Sequence, residues 1–176
     1  MRSWRPERLG VTHFGLFDDV EAHLDELLAL RGDVLVRIVA ACARHKAAVV
    51  GADEREERGG RAVLNFGHTV GHALEALTEY RQFLHGEAVA IGMVAAARVS
   101  RALGCCDAAT VARIEHVLAR AGLPTALPSD IAPEALALGM QADKKRTGGR
   151  IRFVAVEAIG RVRLVELTPG EIVSRL

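Results

Sequence analysis

Cysteine, aromatic residues and long apolar runs are all scarce in this sequence of 176 residues. Its three cysteines, Cys42, Cys105 and Cys106, include no CxxC pair, and aromatic residues make up 4% of the chain. An odd number of cysteines without metal-binding spacing predicts free thiols in a reducing cytosol. No apolar run is long enough to cross a bilayer, and the N-terminal arginines precede no apolar signal-peptide core. We therefore expect a soluble, cytoplasmic protein.

An excess of either charge is also missing, because 23 basic residues are balanced by 22 acidic ones and the net charge is +1. This balance argues against a general nucleic-acid-binding protein, which would need a basic surface. The hydrophobic fraction of 50% is sufficient for a core, so disorder is not expected. Alanine, leucine and valine fill most apolar positions, which favours tightly packed helices in a single domain.

Apolar residues recur at helical spacing along most of the chain. Asp33 and Asp107 are predicted N-caps, and Gly51 and Gly104 are predicted to end helices. The predicted helices cover approximately residues 18–30, 34–50, 61–80, 87–103, 108–121 and 133–140. Ile38 is among the residues predicted to face inwards in the second of these, and the small residues of the helix at 87–103 should let a neighbouring helix approach closely. The period then changes to two, which predicts a β-hairpin at about residues 150–167. The predicted fold class is therefore mainly α: a multi-helix bundle with a small C-terminal β-hairpin.

A polar stripe runs along the helix predicted over residues 61–80. His68 and His72 are four residues apart, which places them on one face of an α-helix. Asn65 and Arg61 extend the same face towards the N-terminus. Because the rest of this segment is apolar and contains glycine, the stripe is unlike a surface helix and indicates one wall of a site.

A third histidine, His85, follows on the next segment and completes a possible set of metal ligands. Imidazole suits zinc, and a catalytic zinc keeps about three protein ligands and one open position. His68 and His85 are the simplest pair, since each adjoins a glycine where backbones can approach closely. Two histidines four residues apart could be a surface accident or a hydrogen-bonded core pair. Three histidines beside an arginine and an asparagine favour a metal site.

Several charged residues could hold an anionic substrate beside such a metal. Arg61 could bind a carboxylate or phosphate through two hydrogen bonds, or could be a solvated residue at a helix start. Lys46 interrupts an apolar helix, and Lys144 and Lys145 precede a glycine pair, although a basic turn before a strand is common. Glu57 lies in a charge run that could be only a solvated loop. Their combination suits a small anionic substrate next to a divalent metal.

Two central segments of the chain carry a specific signature, LNFGHTVGHALEA and LHGEAVAIGM. They resemble 3-dehydroquinate synthase, in the sugar-phosphate cyclase superfamily, and the similarity covers about residues 15–160. The resemblance implies the fold of that family's C-terminal metal-binding domain. It also implies a phosphate-eliminating lyase of the shikimate route to chorismate and the aromatic amino acids. Such enzymes convert 3-deoxy-arabino-heptulosonate 7-phosphate into 3-dehydroquinate, with zinc or cobalt and NAD as cofactors.

The same resemblance implies a role for each residue near the metal. His68 and His85 correspond to the family's histidine ligands, and His72 corresponds to the active-site histidine that assists proton transfer. Glu57 corresponds to the family's acidic catalytic residue, with Glu56 as a competing choice. The implied chemistry oxidises an alcohol to a ketone, so that the neighbouring proton becomes acidic and phosphate can leave.

The substrate-binding residues are implied in the same way. Lys46 and Arg61 correspond to groups that hold the substrate carboxylate. Asn65, Lys144 and Lys145 correspond to groups near its phosphate. The partners expected are therefore a small anionic sugar phosphate and either a second copy of the chain or an N-terminal NAD-binding partner, with no nucleic acid and no membrane.

Two features of the family have no counterpart in this sequence. The N-terminal half of the family enzymes is a nucleotide-binding α/β domain, whereas this chain has no strand-rich half and no glycine-rich phosphate loop. The family's third metal ligand is a glutamate, and the aligned position here holds Gly10. His13 stands where the family has a nearby lysine, and Glu7 comes three residues too early. We therefore expect weak zinc binding by His68 and His85, completed by His72, His13 or water.

Three hypotheses remain open at this point. The chain could be a truncated or split 3-dehydroquinate synthase that needs an N-terminal half and is inactive alone. It could be the equivalent piece of a secondary-metabolism cyclase, such as an aminodehydroquinate or valiolone-type synthase. It could also be a catalytically inactive module that binds or regulates a full-length paralogue. The retained LNFGHT and KAAVV segments favour the first hypothesis.

Overall fold

The structure is a computed structural model that describes residues 34–53, 60–142 and 149–176. The helix predicted over residues 18–30 lies outside these ranges. The described residues form two compact units, one up to Leu64 and one from Asn65 to Leu176, which we describe separately. No helix in the described part of the chain is long and apolar enough to span a bilayer.

The first unit contains helix α1, Val34–Ala52. The prediction that this helix ends at about residue 50 and is closed by Gly51 is wrong by two residues, because Gly51 is still helical. Ile38 was expected to face inwards, but it is 48% exposed, whereas its neighbour Val39 is 7% exposed. The buried stripe of α1 therefore includes Val39, Ala40 and Ala43.

After α1 the chain forms a short 3-10 helix, Gly60–Asn65. The backbone N–H of Gly60 donates to Oδ2 of Asp53 at 3.0 Å, which ties the start of this 3-10 helix to the end of α1. The charged residues between these two positions lie outside the described ranges.

The second unit holds most of the regular structure. Its elements are α2 (His68–Leu77), α3 (His85–Ala102), α4 (Ala108–Arg120), α5 (Pro133–Ala142), β1 (Ile151–Ala158), β2 (Arg161–Leu167) and α6 (Pro169–Val173). The strands β1 and β2 pair antiparallel as a two-stranded sheet. The predicted fold class, mainly α with a C-terminal β-hairpin, is therefore confirmed.

The single helix predicted over residues 61–80 is wrong at both ends. Gly67 has a φ of +84°, a left-handed backbone conformation that separates the 3-10 helix from α2. At the other end, Glu79 and Tyr80 also have positive φ values of 51° and 57°, which α-helical residues do not adopt. The polar stripe from Arg61 to His72 therefore does not lie on one α-helix.

Helices α2 and α3 form an antiparallel hairpin with very close backbones. A side chain at Gly92 of α3 would place its Cβ 2.1 Å from the carbonyl oxygen of Gly67. One turn further along α2, a Cβ at Gly71 would lie 3.1 Å from the Cα of Val89. The prediction that the small residues of α3 let a neighbouring helix approach closely is confirmed by these contacts.

Helix α3 lies at the centre of the core of the second unit. It packs against α2, α4 and β1. Most of its residues between Gly86 and Ser100 are buried. The hydroxyl of Ser100 is also buried, and it donates to the carbonyl oxygen of Ala96 at 2.6 Å and accepts from the backbone N–H of Val156 at 3.0 Å. This hydroxyl links α3 to β1. The buried residues of β1 are Ile151, Phe153, Val154, Ala155 and Val156.

The three cysteines are free thiols, as predicted. Cys105 and Cys106 lie in the turn between α3 and α4. Burial and the neighbouring Cys105 raise the pKa of the Cys106 thiol, so this group is expected to be neutral near pH 7. Asp107 follows as the predicted N-cap of α4, and its Oδ1 accepts from the backbone N–H of Thr110 at 2.8 Å.

Candidate metal centre

Three imidazole rings converge where α2 and α3 meet. The ring centroids of His68 and His72 are 5.3 Å apart, and that of His85 lies 5.6 Å from His68 and 5.8 Å from His72. One potential ligand nitrogen from each ring falls within 4.8 Å of the other two. All three side chains are half-buried, so part of each remains accessible to solvent.

The local chain explains why these rings meet. His68 and His85 are the first residues of α2 and α3, and His72 follows His68 by one turn on the same face. Helix α3 begins two residues earlier than predicted because the Glu87 carboxylate accepts from the backbone N–H of Leu84 at 2.9 Å, which caps the helix there. The close packing of the two helices then brings the three rings together.

A buried carboxylate orients one of the three rings. Oε1 of Glu75 lies 2.8 Å from Nδ1 of His85, and Glu75 is only 6% exposed. The carboxylate occupies the Nδ1 side of the ring, so Nε2 is the nitrogen placed to bind a metal. Nε2 of His85 is buried, consistent with a ring that turns this atom inwards. Glu75 is thus placed like the second-shell partner of a metal-bound histidine.

A similar contact is made by His68. Its Nδ1 lies 3.4 Å from the carbonyl oxygen of Phe66, which also can only accept. In both rings the protein contact is made by Nδ1, so Nε2 is the nitrogen placed to bind a metal. Imidazole nitrogens suit zinc or cobalt, and a catalytic site of such a metal keeps one position open for a substrate oxygen. The residues present fit a divalent transition metal.

Glu75 is not among the predicted site residues, although its spacing from the histidines could have indicated it. Glu75 follows His72 by three residues and His68 by seven, which is the spacing of one helical face. The predicted stripe runs from His68 towards the N-terminus, to Asn65 and Arg61, whereas α2 begins at His68 and continues towards the C-terminus. The candidate metal-binding face of α2 therefore consists of His68 and His72, with Glu75 behind His85.

The other predicted site residues are distributed over the chain. Lys46 and Arg61 are half-buried residues of the first unit, in α1 and in the 3-10 helix. Asn65 ends that 3-10 helix and is exposed. Glu57, with its alternative Glu56, and the pair Lys144 and Lys145 lie outside the described residues, as do the positions of the missing third ligand.

Comparison with known proteins decides the family. Residues 11–146 match the family model described as 3-dehydroquinate synthase C-terminal. The chain belongs to the 3-dehydroquinate synthase family. It is 46% identical over 158 residues to the 3-dehydroquinate synthase of Synechococcus sp., an overlap that covers 89% of this chain and 43% of that relative. The corresponding enzyme of Gloeobacter violaceus is 47% identical over 161 residues, with coverage of 90% and 44%.

Solved structures of sugar-phosphate cyclases share the fold. A 2-deoxy-scyllo-inosose synthase complexed with carbaglucose-6-phosphate, NAD+ and Co2+ superposes with a TM-score of 0.70 at 22% identity, covering 96% of this chain and 48% of that one. A 2-epi-5-epi-valiolone synthase from Streptomyces hygroscopicus with bound NAD+ and Zn2+ gives 0.67 at 22% identity, with coverage of 97% and 48%. The chain thus spans less than half the length of the 3-dehydroquinate synthase family members and cyclases it matches.

Replacing Glu75 by glutamine is expected to weaken zinc binding by about tenfold, because an amide oxygen accepts a weaker hydrogen bond from Nδ1 of His85 than a carboxylate does, and the amide can also turn its NH2 group towards the ring. Competition with a chromophoric chelator would measure the affinity, and the absorption spectrum of the Co2+ form would report the ligand geometry. Glu79→Gln is the matched control, since that side chain is 72% exposed and pairs with Arg81. An unchanged affinity in Glu75→Gln would show that the carboxylate does not position the ligand.

Proposed function

We propose that this chain forms the metal-binding half of a 3-dehydroquinate synthase. The reaction is the conversion of 3-deoxy-arabino-heptulosonate 7-phosphate to 3-dehydroquinate with release of phosphate. The observation that carries this proposal is the convergence of His68, His72 and His85, oriented by Glu75, within a segment of the 3-dehydroquinate synthase family. The free thiols of the described residues and the family membership support a cytoplasmic lyase.

His68 and His85 are the proposed metal ligands, with the proton of each ring held on Nδ1 by a carbonyl or carboxylate oxygen. A bound zinc would polarise a substrate hydroxyl or carbonyl oxygen and stabilise negative charge that develops there. His72 stands beside both rings and offers a nitrogen that can accept or return a proton at the substrate. Its half-burial leaves it accessible to a substrate.

The substrate's two anionic groups need cationic and amide partners. We propose that Lys46 and Arg61 hold the carboxylate, while Asn65, Lys144 and Lys145 hold the phosphate. Glu57 is the proposed acidic residue of the site. Family resemblance and the charge of these side chains support the assignment, because fixing both ends of the substrate aligns its reacting carbons.

Nucleotide binding does not fit the described part of this chain. The strands there form an antiparallel hairpin, whereas dinucleotides typically bind at the ends of parallel strands. We therefore derive no step through NAD from these residues. We propose that NAD binds to a half equivalent to the part of the relatives that this chain does not span, on the same polypeptide or on a partner.

The curated relatives favour a dehydroquinate product over those of other cyclases. Their identity to this chain is 46% and 47%, whereas the inosose and valiolone synthases reach 22%. At the lower identity the likeness is one of fold. An aminodehydroquinate substrate would be distinguished by comparing both substrates in the assay below.

The test is phosphate release from 3-deoxy-arabino-heptulosonate 7-phosphate in the presence of zinc and NAD. We expect no release by the 176-residue chain alone, and release when the N-terminal half of the Gloeobacter violaceus enzyme is added. His72→Ala should abolish this restored activity, and His116→Ala on the exposed face of α4 should retain it. Turnover by the chain alone would refute the need for a second half. Zinc binding without turnover in the mixture would instead indicate an inactive binding module.

A further inference from the structure

A buried carboxylate joins α1 to the 3-10 helix of the first unit. Asp53 directly follows the last residue of α1 and is only 7% exposed. Its Oδ2 accepts a hydrogen bond at 3.0 Å from the backbone N–H of Gly60, the first residue of the 3-10 helix. A carboxylate that is removed from water needs such donors, because an unsatisfied buried charge is costly. We call this contact the Asp53 tie.

The position of this carboxylate is unfavourable for the stability of α1. A helix carries partial negative charge at its C-terminal end, so an acidic side chain there is repelled and a basic one is favoured. The last turn of α1 nevertheless contains no basic residue, and Asp53 follows it immediately. The backbone N–H of Asp53 donates to the carbonyl oxygen of Val50 at 3.2 Å, which holds Asp53 against the helix end. Residues that break a local rule of stability are expected at functional sites.

The Asp53 tie fixes the start of the segment that carries Arg61. A 3-10 helix has hydrogen bonds of poorer geometry than an α-helix, so a piece of six residues depends on contacts from outside. Gly60 immediately precedes Arg61 in this helix. A guanidinium forms two hydrogen bonds with a carboxylate only when the two planar groups are aligned. A displacement of the Arg61 backbone would therefore weaken such recognition.

Lys46 lies on the other element that the tie joins. It precedes Asp53 by seven residues, which corresponds to roughly 10 Å along the axis of α1. Lys46 and Arg61 are both half-buried, and both are proposed above to hold the substrate carboxylate. Because one belongs to α1 and the other to the 3-10 helix, the separation of their backbones depends on the contact between these two elements.

We propose that Asp53 is a positioning residue for the substrate carboxylate. It acts through Arg61, by fixing the 3-10 helix to the end of α1, and does not itself touch the substrate. This inference rests on the proposed function, which assigns the substrate carboxylate to Lys46 and Arg61. It also accounts for an acidic side chain at a helix end that would favour a basic one.

The test measures binding of 3-deoxy-arabino-heptulosonate 7-phosphate to the zinc-loaded full chain by calorimetry, which requires no turnover. Asp53→Ala should weaken this binding by about tenfold, because Arg61 is no longer held in place for two charged hydrogen bonds. Asp53→Asn should lose less, since an amide oxygen can still accept from the N–H of Gly60. The matched control is Asp130→Ala, which removes an exposed carboxylate of the second unit and should leave the affinity unchanged. Circular dichroism would verify that all variants fold.

A double-mutant cycle separates positioning from a purely structural role. In an Arg61→Ala background, Asp53→Ala should change the affinity by less than about twofold, because the group that it positions is absent. Zinc affinity should be the same in the native chain and in Asp53→Ala, since the imidazole ligands are unchanged. The proposal is overturned by an equal loss of substrate affinity in both backgrounds, by a loss of zinc affinity, or by an unchanged substrate affinity in Asp53→Ala.

Failure of the proposed function gives a different result from failure of this inference. If the native chain does not bind the heptulosonate phosphate, the substrate assignment is wrong and the positioning role is wrong with it. If the native chain and Asp53→Ala bind it equally well, only the positioning role is wrong. Hydrogen exchange of the Gly60 amide, followed by NMR, tests the tie directly. It should be slower in the native chain than in Asp53→Ala, and equal rates would show that the hydrogen bond does not form.

Discussion

Replacing His68 and His85 together by alanine is expected to weaken zinc binding by at least about a thousandfold, since each imidazole supplies several kcal/mol of the binding free energy. The two rings are also the ones whose Nδ1 protons are held by oxygen acceptors, so they are prearranged for coordination. The remaining ring of His72 cannot hold the ion alone. Competition with a chelator would measure the affinity of the native chain and of the variant.

The control for this experiment is His116→Ala, which removes an imidazole from the exposed face of α4 and should leave the zinc affinity unchanged. His72→Ala should have an effect smaller than that of the double variant if His72 serves in proton transfer. Equal zinc affinity in the native chain and the double variant would show that zinc does not bind at these histidines. A loss in His116→Ala would indicate nonspecific binding to surface histidines.

Replacing Gly92 by alanine is expected to destabilise the second unit by about 3 kcal/mol, which is the upper range for overpacking a tight core. In most helix interiors this change is stabilising, because alanine has the higher helix propensity. Here the added Cβ would stand 2.1 Å from the carbonyl oxygen of Gly67 and 2.9 Å from the backbone nitrogen of Gly71. Both are backbone atoms that cannot rotate away. Urea denaturation would measure the change in free energy of unfolding.

Gly51→Ala in α1 is the matched control, since this helical glycine has no neighbouring atom within 4 Å of the added Cβ. It should be neutral or stabilising by about 0.5–1 kcal/mol. Because Gly92 holds α2 against α3, the destabilising variant should also weaken zinc binding. If Gly92→Ala is as stable as the native chain, the two helices are not held together by this backbone contact.

Much of the second unit could be predicted because its elements are amphipathic and clearly delimited. The cap at Asp107 and the change of period near residue 150 specified α4 and the hairpin, and both are confirmed. The three histidines could be grouped from spacing and family resemblance, and the structure brings them together. These features could be predicted because they depend on residues that are close together in the sequence.

The errors arose where backbone conformation or a distant contact decides the structure. Helical periodicity continues through Gly67, so nothing in the apolar pattern revealed that this residue adopts a left-handed conformation and begins a new helix. Likewise, the partner of Glu75 is ten residues away on another helix, and its role becomes visible only when α2 and α3 pack together. The prediction that Ile38 faces inwards is wrong, because hydrophobicity alone does not show which face of a helix is covered by other residues.

The α2–α3 hairpin has a further consequence for how the metal centre forms. All three imidazoles and the carboxylate that orients one of them come from residues 68–85, joined by a short turn. Such a cluster has low contact order, so closing it costs little chain entropy and does not require strands or distant helices to pair first. We infer that the donor set can assemble early during folding.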